Sequence, residues 1–411
     1  MSRGSATGYE MAREFPPEPS EIRFEVADVF RAYGADYREK HNLSGPQLAA
    51  MEAIERCRTT ALGGHVDHCE HCGHIEVSYN SCRNRNCPKC RGSQRAAWVE
   101  ARELELLPIQ YFHLVFTLPD TLLPLARYNP EVVYSLLFKV AAETLQTFAE
   151  NRWDGRLGII MALHTWGQTM NDHPHVHCIV TGGALKNDGS AFVRAPKNFL
   201  FPIRALSPVF REKYIDALQA AKDKGKLDLR GQEELATDGG WQGFLAKLRT
   251  HAWVVYAKQP FAEPQHLIGY LGRYVNRIAI ANHRIQSIED AQVTFTYLDN
   301  REKEAPLEKT MRLSAEEFIR RFLSHIPPRQ FRRIRYYGFL VNSQRKEKLT
   351  TCRRLLVLPA PEQPYIADMD AFLAKQGIDY RLCPSCGEGK LRTIYLLLSF
   401  HDPPECVLQA A

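Results

Sequence analysis

Residues 156–185 read RLGIIMALHTWGQTMNDHPHVHCIVTGGAL, and two strands account for them. The first, RLGIIMALHTWGQ (156–168), and the second, HPHVHCIVTGGAL (173–185), flank a polar NDH turn. Both are largely apolar and bounded by turn residues, as strands are. The pair Gly182–Gly183 is expected to end the second strand. Inside it, His175 and His177 are separated by Val176. On a strand, residues i and i+2 project to one face, so two imidazoles stand together while Val176 anchors the other face in the core. That geometry suits two ligands of a divalent metal. An HxH pair alone is more often simply solvated, so the reading needs company.

Outward from this pair, YFHLVFTLP (111–119) and WVVYAKQP (253–260) read as strands closed by proline, and AQVTFTYLD (291–299) alternates with period two before a DNRE turn. Residues 131–150, 208–223 and 266–281 read as helices. On the last, Tyr270 and Tyr274 are spaced i, i+4, which stacks both hydroxyls on one face. Aromatic pairs at this spacing are usually core. Here Arg273 and Arg277 accompany them, and cations beside tyrosines suit a phosphate-bearing substrate. A metal can polarise a phosphodiester while a tyrosine attacks it and keeps a covalent phosphate link. With a free pKa of ~10, that tyrosine needs a base or a metal's field to lose its proton.

Toward the N-terminus, residues 21–56 carry helical spacing (Val26, Val29, Phe30, then Leu48, Met51, Ile54), with Pro46 near the start of a second helix. The chain has 11 cysteines, six of them between Cys57 and Cys90 in a stretch too poor in apolar residues to fold by core burial alone. Two CxxC knuckles, Cys69/Cys72 and Cys87/Cys90, are expected to complete one tetrahedral zinc site. Cys57, His65 and Cys82, with one of His68, His71 or His74, are candidates for a second zinc or else packing residues. Arg83, Arg85, Lys89, Arg91 and Arg95 surround the second knuckle and suit phosphate contacts, against the plainer alternative of a solvated face. A single C-terminal knuckle, Cys383/Cys386, is a weak metal signal that Cys352, His325, His401 or Cys406 could complete. Cys178 reads as core.

The 53 Lys and Arg outweigh the 47 Asp and Glu by only +6 over 411 residues. That average hides a stretch, 312–354, with twelve Arg or Lys against three Glu, a local net of +9. Arg332, Arg333 and Arg335 lie in it, interleaved with Phe322, Phe331, Tyr336, Tyr337 and Phe339. Cations with aromatics suit single-stranded DNA through phosphate pairing and base stacking, unless the aromatics are core. No apolar run approaches the ~20 residues of a membrane span. The N-terminal MSRGSATGYEMAREF lacks the apolar core of a secretory signal, so a cytoplasmic, nucleoid-associated protein with no membrane partner is expected.

The motifs CRTTALGGHVDHCEHCGH, YNSCRNRNCPKC, FHLVFTLP, HTWGQTMNDHPHVHCIVTGG, GYLGRYVNRIAIAN and IRYYGFL resemble, in order and over roughly residues 40–390, the two-tyrosine HUH transposases of rolling-circle insertion sequences, the IS91 type. The resemblance implies an α+β fold in which a central antiparallel sheet is flanked by helices. It implies an N-terminal helical segment (1–56), a zinc-binding domain (57–105), a HUH catalytic domain with its tyrosine helix (106–300), a basic DNA-binding helical region (301–380) and a C-terminal CxxC tail (381–411). His175 and His177 would bind magnesium or manganese, with Gln168 as third ligand and Asn282, His164 and His113 as its rivals. Tyr270 and Tyr274 would be the nucleophiles that cut and rejoin single-stranded DNA of transposon ends and target, and one or two zinc ions would be structural. A homodimer is compatible with this reading. The alternatives are a plasmid replication initiator or relaxase of the same superfamily, and a zinc-ribbon DNA-binding protein without catalysis.

Overall fold

The computed structural model describes residues 24–90, 99, 102, 105–258, 278–299, 307–359, 373, 377, 379–399 and 408–410. The N-terminal lead-in, Arg91, Arg95, His401 and Cys406 lie outside the described residues. So do Tyr270, Arg273, Tyr274 and Arg277, with most of the helix expected at 266–281.

In chain order the elements begin with α1 (Val26–Lys40), α2 (Gly45–Arg56), β1 (Gly64–Cys69), β2 (Ile75–Tyr79), β3 (Tyr111–Thr117), α3 (Leu123–Tyr128) and α4 (Pro130–Trp153). Then come β4 (Gly155–Trp166), β5 (Asp172–Lys186), β6 (Phe192–Arg194), α5 (Ile203–Asp223), α6 (Asp238–Thr250) and β7 (Val255–Lys258). After these follow β8 (Ile285–Glu289), β9 (Gln292–Asp299), β10 (Leu307–Ser314), α7 (Ala315–Ser324), β11 (Ile334–Gly338), α8 (Arg345–Leu355), β12 (Leu391–Leu397) and β13 (Leu408–Ala410). The fold is α+β, with every strand pairing antiparallel.

The central sheet has the order β11-β4-β5-β3-β7, with β6 on β5. One face carries Leu114, Phe116, Leu157, Ile159, Met161, Val176, Cys178 and Val180 into a core with α4 and α5. The opposite face is apolar at one end only, where Tyr111, Ile160, Ala162 and Ile179 meet Phe339 and Leu349. Its other end bears the histidines. Coverage on both faces explains why β4 and β5 read as largely apolar.

Gly182–Gly183 does not end the second strand, which continues to Lys186. The glycines admit crowding instead. A Cβ on Gly182 would lie 2.5 Å from the Gln110 carbonyl, and one on Gly183 2.5 Å from that of Val193. At α2, Ser44 and Gln47 form a reciprocal capping box with Pro46 in the first turn, so the expected helix start holds.

The basic stretch expected to be helical is mixed. It contains β10 and β11, and β11 pairs with β4 from Ile334↔Ala162 to Gly338↔Gly158, making the basic segment an edge of the central sheet. The reason is the alternation in IRYYG: Ile334 and Tyr336 pack with the second face and Tyr337 with the first. Phe322, Phe331 and Phe339 are buried, so these three are core and not stacking platforms.

A second sheet, β10-β9-β8, shares a core with α1, α2 and α7, in which Phe30 and Phe322 meet edge to face at 5.3 Å. Trp166 and Met170, beside the histidines, belong to the same core. A third sheet, β13-β12-β1-β2, pairs β1 with β12 from Gly64↔Leu397 to Cys69↔Leu391. It thereby joins the cysteine-rich N-terminal region to the C-terminal tail. Among the described residues no helix is long and apolar enough to cross a membrane.

Candidate active site and metal centres

Strand register assembles the first centre. β4 and β5 pair His164 with His175 and Ala162 with His177, so all four side chains stand on one face. Ring nitrogens of His164, His175 and His177 lie within 4.8 Å of one another, and the Nε2 atoms of His175 and His177 are 3.1 Å apart. The expected pair is thus brought together, and the third imidazole is His164. Gln168 lines the same cavity of about 750 Å³, together with Asp120, Asp172, His173 and Arg284. Asn282 is engaged elsewhere: its Oδ1 accepts from the Val26 amide at the start of α1, 3.2 Å away.

The other ring nitrogens are occupied in a way that orients the pair. His175 Nδ1–H donates to the His173 carbonyl at 2.7 Å, which leaves its Nε2 lone pair toward the cavity. His177 Nδ1 lies 2.9 Å from Nε2 of His113, a fully buried residue of β3 whose ring stacks on it. With His177 donating from Nδ1, its Nε2 carries the lone pair and faces that of His175, 3.1 Å away. Burial lowers the His175 pKa to about 4, against the opposing effect of the His173 carbonyl, so the ring is neutral and ligand-competent at pH 7. Neutral imidazoles with convergent lone pairs fit a divalent cation.

The cavity wall at 167–171 is held from outside by its carbonyls. Arg284 donates to Gln168 O, Arg321 to Thr169 O and His325 to Met170 O, at 2.6, 2.9 and 2.9 Å. His164 lies flat against Trp166, ring centres 4.8 Å apart. Imidazoles and wall are therefore set by packing of three separate elements before any substrate arrives.

The cysteines are grouped differently from expectation. Cys69/Cys72 and Cys87/Cys90 do not share a centre. Cys57, Cys82, Cys87 and Cys90 form one cluster, and Cys69 and Cys72 face Cys383 and Cys386 in another. The pairing of β1 with β12 brings the C-terminal knuckle beside Cys69/Cys72, the place where Cys87/Cys90 were expected. His65 joins neither cluster; its Nε2 lies 3.2 Å from an Asp67 carboxylate oxygen. Cys352 and His325 are buried elsewhere, and Cys178 is core as expected.

In the first cluster Cys57–Cys90, Cys57–Cys87 and Cys82–Cys90 have Sγ separations of 3.3, 3.6 and 3.6 Å. A tetrahedral zinc with Zn–S of ~2.3 Å requires S···S edges of roughly 3.8 Å. Four cysteines at this spacing fit zinc. Burial pushes the Cys57 thiol up to about 12, a cost that a bound cation would reverse by holding the thiolate.

The family model described as "Transposase zinc-binding domain" matches residues 29–118, and the one described as "Putative transposase" matches 158–348. The chain is 45% identical over 393 residues to "Putative transposase y4qJ" of Sinorhizobium fredii, covering 93% of this chain and 98% of the relative. It is 30% identical over 385 residues to the transposase for insertion sequence element IS801 of Pseudomonas savastanoi pv. phaseolicola, covering 92% of this chain and 90% of the relative. The chain belongs to the IS91 family of transposases. No solved structure matches it.

Membership of the IS91 family sets aside the plasmid initiator and relaxase alternatives. The matched zinc-binding region of this IS91 transposase contains all of Cys57, Cys82, Cys87 and Cys90, but only half of the other cluster. Among the arginines singled out by sequence, Arg85 donates to the Phe331 and Pro328 carbonyls at 2.7 and 3.2 Å, and Arg333 donates to Asn86. These two join the zinc region to the segment that leads into β11. Arg335 covers the Phe138 and Phe331 rings at 4.6 and 5.1 Å. Arg83 and Arg332 are exposed. His113, named from the sequence as a rival third ligand, stands instead behind His177 Nδ1, and the distant pairing of Cys383/Cys386 with Cys69/Cys72 was not found from sequence order.

Proposed function

We propose that this transposase nicks and rejoins single-stranded DNA at transposon ends by metal-assisted transesterification through 5′-phosphotyrosine intermediates, in rolling-circle transposition. The observation that carries the proposal is the three-imidazole centre of His164, His175 and His177, set on a rigid sheet at the floor of an open cavity. When bound there, a divalent cation, magnesium or manganese, would supply positive charge to a scissile phosphodiester. Imidazole ligands favour manganese over the harder magnesium. His113 and the His173 carbonyl fix the two ring orientations, so little reorganisation accompanies binding.

The nucleophiles are Tyr270 and Tyr274. The tyrosine oxygen bonds to phosphorus as the bond to the 3′ oxygen breaks; the 3′ oxygen departs carrying a proton, and the 5′ phosphate stays esterified to tyrosine. A 3′-OH reverses the step and releases the tyrosine, so ester energy is conserved and no nucleotide cofactor is required. Two tyrosines permit two successive transfers. Arg273, Arg277, Arg91, Arg83 and Arg332 would contact the phosphate backbone. A groove of about 570 Å³ along β11, lined by Arg329, Arg332, Arg335 and Tyr336, supports a path for the strand. The site of action would be the bacterial cytoplasm, on nucleoid DNA.

The test is incubation with end-derived single-stranded DNA and manganese, read on a denaturing gel. Wild type is expected to form a covalent adduct. His175→Ala is expected to form none while still shifting the DNA on a native gel. An adduct undiminished in His175→Ala would remove the imidazole centre from the mechanism.

A further inference from the structure

We infer that Cys69, Cys72, Cys383 and Cys386 bind a second zinc ion, which clasps the C-terminal hairpin onto the N-terminal cysteine-rich sheet. The paired cysteines are 317 and 311 residues apart in sequence, yet Cys69–Cys386 and Cys72–Cys383 have Sγ separations of 3.9 and 3.6 Å. All four sulfurs lie within 4.8 Å of one another. A disulfide needs ~2.05 Å. Tetrahedral zinc needs S···S edges of roughly 3.8 Å, which these match.

The backbone around the cluster is built alike on both sides. Each CxxC is followed by a glycine in the left-handed region, Gly73 at φ 76° and Gly387 at φ 68°. Each glycine N–H donates to the carbonyl of the first cysteine of its knuckle at 2.9 Å. A third glycine closes the centre. Gly389 N–H donates to Cys386 Sγ at 3.3 Å, and a Cβ on Gly389 would collide with Cys69 Sγ and His71 Cβ. N–H groups aimed at sulfur favour the thiolate, the form that binds zinc.

Beyond the β1–β12 ladder and the Thr393–Asp67 hydrogen bond, the described residues add little at this corner. Ile75, Val77, Tyr395 and Leu396 of the sheet are exposed, so among the described residues no core covers them. The cross-links Arg392–Glu70 and His71–Glu388 are exposed at both ends, and such pairs contribute ~0–1 kcal/mol. The metal therefore supplies the closure that burial does not. Each cluster buries two of its cysteines, but of the remaining two Cys72 of the clasp is exposed whereas Cys82 and Cys90 of the other cluster are both half-buried, so the clasp gives up its zinc first.

Metal analysis of the full-length protein tests this. Wild type is expected to hold two zinc ions and the Cys383→Ser/Cys386→Ser variant one. In hydrogen exchange, the variant's Leu391–Leu397 amides lose protection while those of β4 and β5 keep it. A single zinc in wild type, or wild-type zinc content in the variant, overturns the inference. Should the variant misfold, alkylation of native wild type decides. Cys72 and Cys386 should resist iodoacetamide until a chelator is added; modification of both with zinc content unchanged overturns the proposal.

Discussion

At the scale of single residues, the sequence made two of the three imidazoles of the centre plain. His175 and His177 announce themselves because period two is a local property of a strand. His164 was only one rival among several for the third place, since its membership depends on the β4–β5 register that sets it opposite His175, eleven residues away along a hairpin. The upstream position of Gln168 is compatible with the cavity wall, but its neighbour in the centre is a third imidazole. His113 was likewise named only as a rival ligand, and its actual place was hidden, because only the β3–β5 pairing brings it beneath His177. Its role yields a prediction. His113→Leu removes the acceptor for His177 Nδ1–H and is expected to weaken manganese binding about 10–100-fold by calorimetry. His113→Gln, which retains an acceptor, should keep most of the affinity. Equal affinities in both variants would make His113 a packing residue only.

At the scale of elements, local signals located most of the strands and helices, and failed where a neighbour decided the outcome. Gly182–Gly183 looked like a stop and proved to be a place where Gln110 and Val193 press close. The basic stretch read as helical, yet IRYYG became the edge strand β11, paired along Gly158 to Ala162 of β4. Gly338 ends that strand at φ 63°, and a Cβ there would run into the Leu157 carbonyl. Gly338→Ala is therefore expected to destabilise the protein by about 1–3 kcal/mol, seen as a lower urea midpoint with an unchanged slope. A neutral substitution would mean that β11 contributes little to the sheet. The cysteine knuckles failed for the same reason: spacing suggested 69/72 with 87/90, whereas strand pairing matched 69/72 with 383/386.

At the scale of the whole molecule, the segments that look separate along the chain are locked together around the cavity. Arg85 and Arg333 tie the zinc region to the segment leading into β11, and α7 sends Arg321 to the wall of the histidine site. His325 is the buried member of this lock, donating to Met170 O and accepting from Thr165. Burial lowers its pKa to about 4, with the Met170 carbonyl opposing, so the folded protein holds it neutral. The unfolded chain takes up that proton near pH 6.5, so stability is full above 6.5 and falls as pH drops toward 4, by about 1.4 kcal/mol for each pH unit in that window. Urea midpoints of wild type should decline from pH 7 to pH 4.5 more steeply than those of His325→Gln; parallel declines would place the loss in other groups.

The chemistry itself is tested most directly by locating the covalent bond. After incubation with end-derived single-stranded DNA and manganese, the adduct is digested and the modified peptide sequenced by mass spectrometry. The account predicts a 5′-phosphate ester on Tyr270 or Tyr274, lost in Tyr270→Phe/Tyr274→Phe and absent in His175→Ala. A DNA ester on any other residue, or an adduct that survives the double tyrosine substitution, would contradict it.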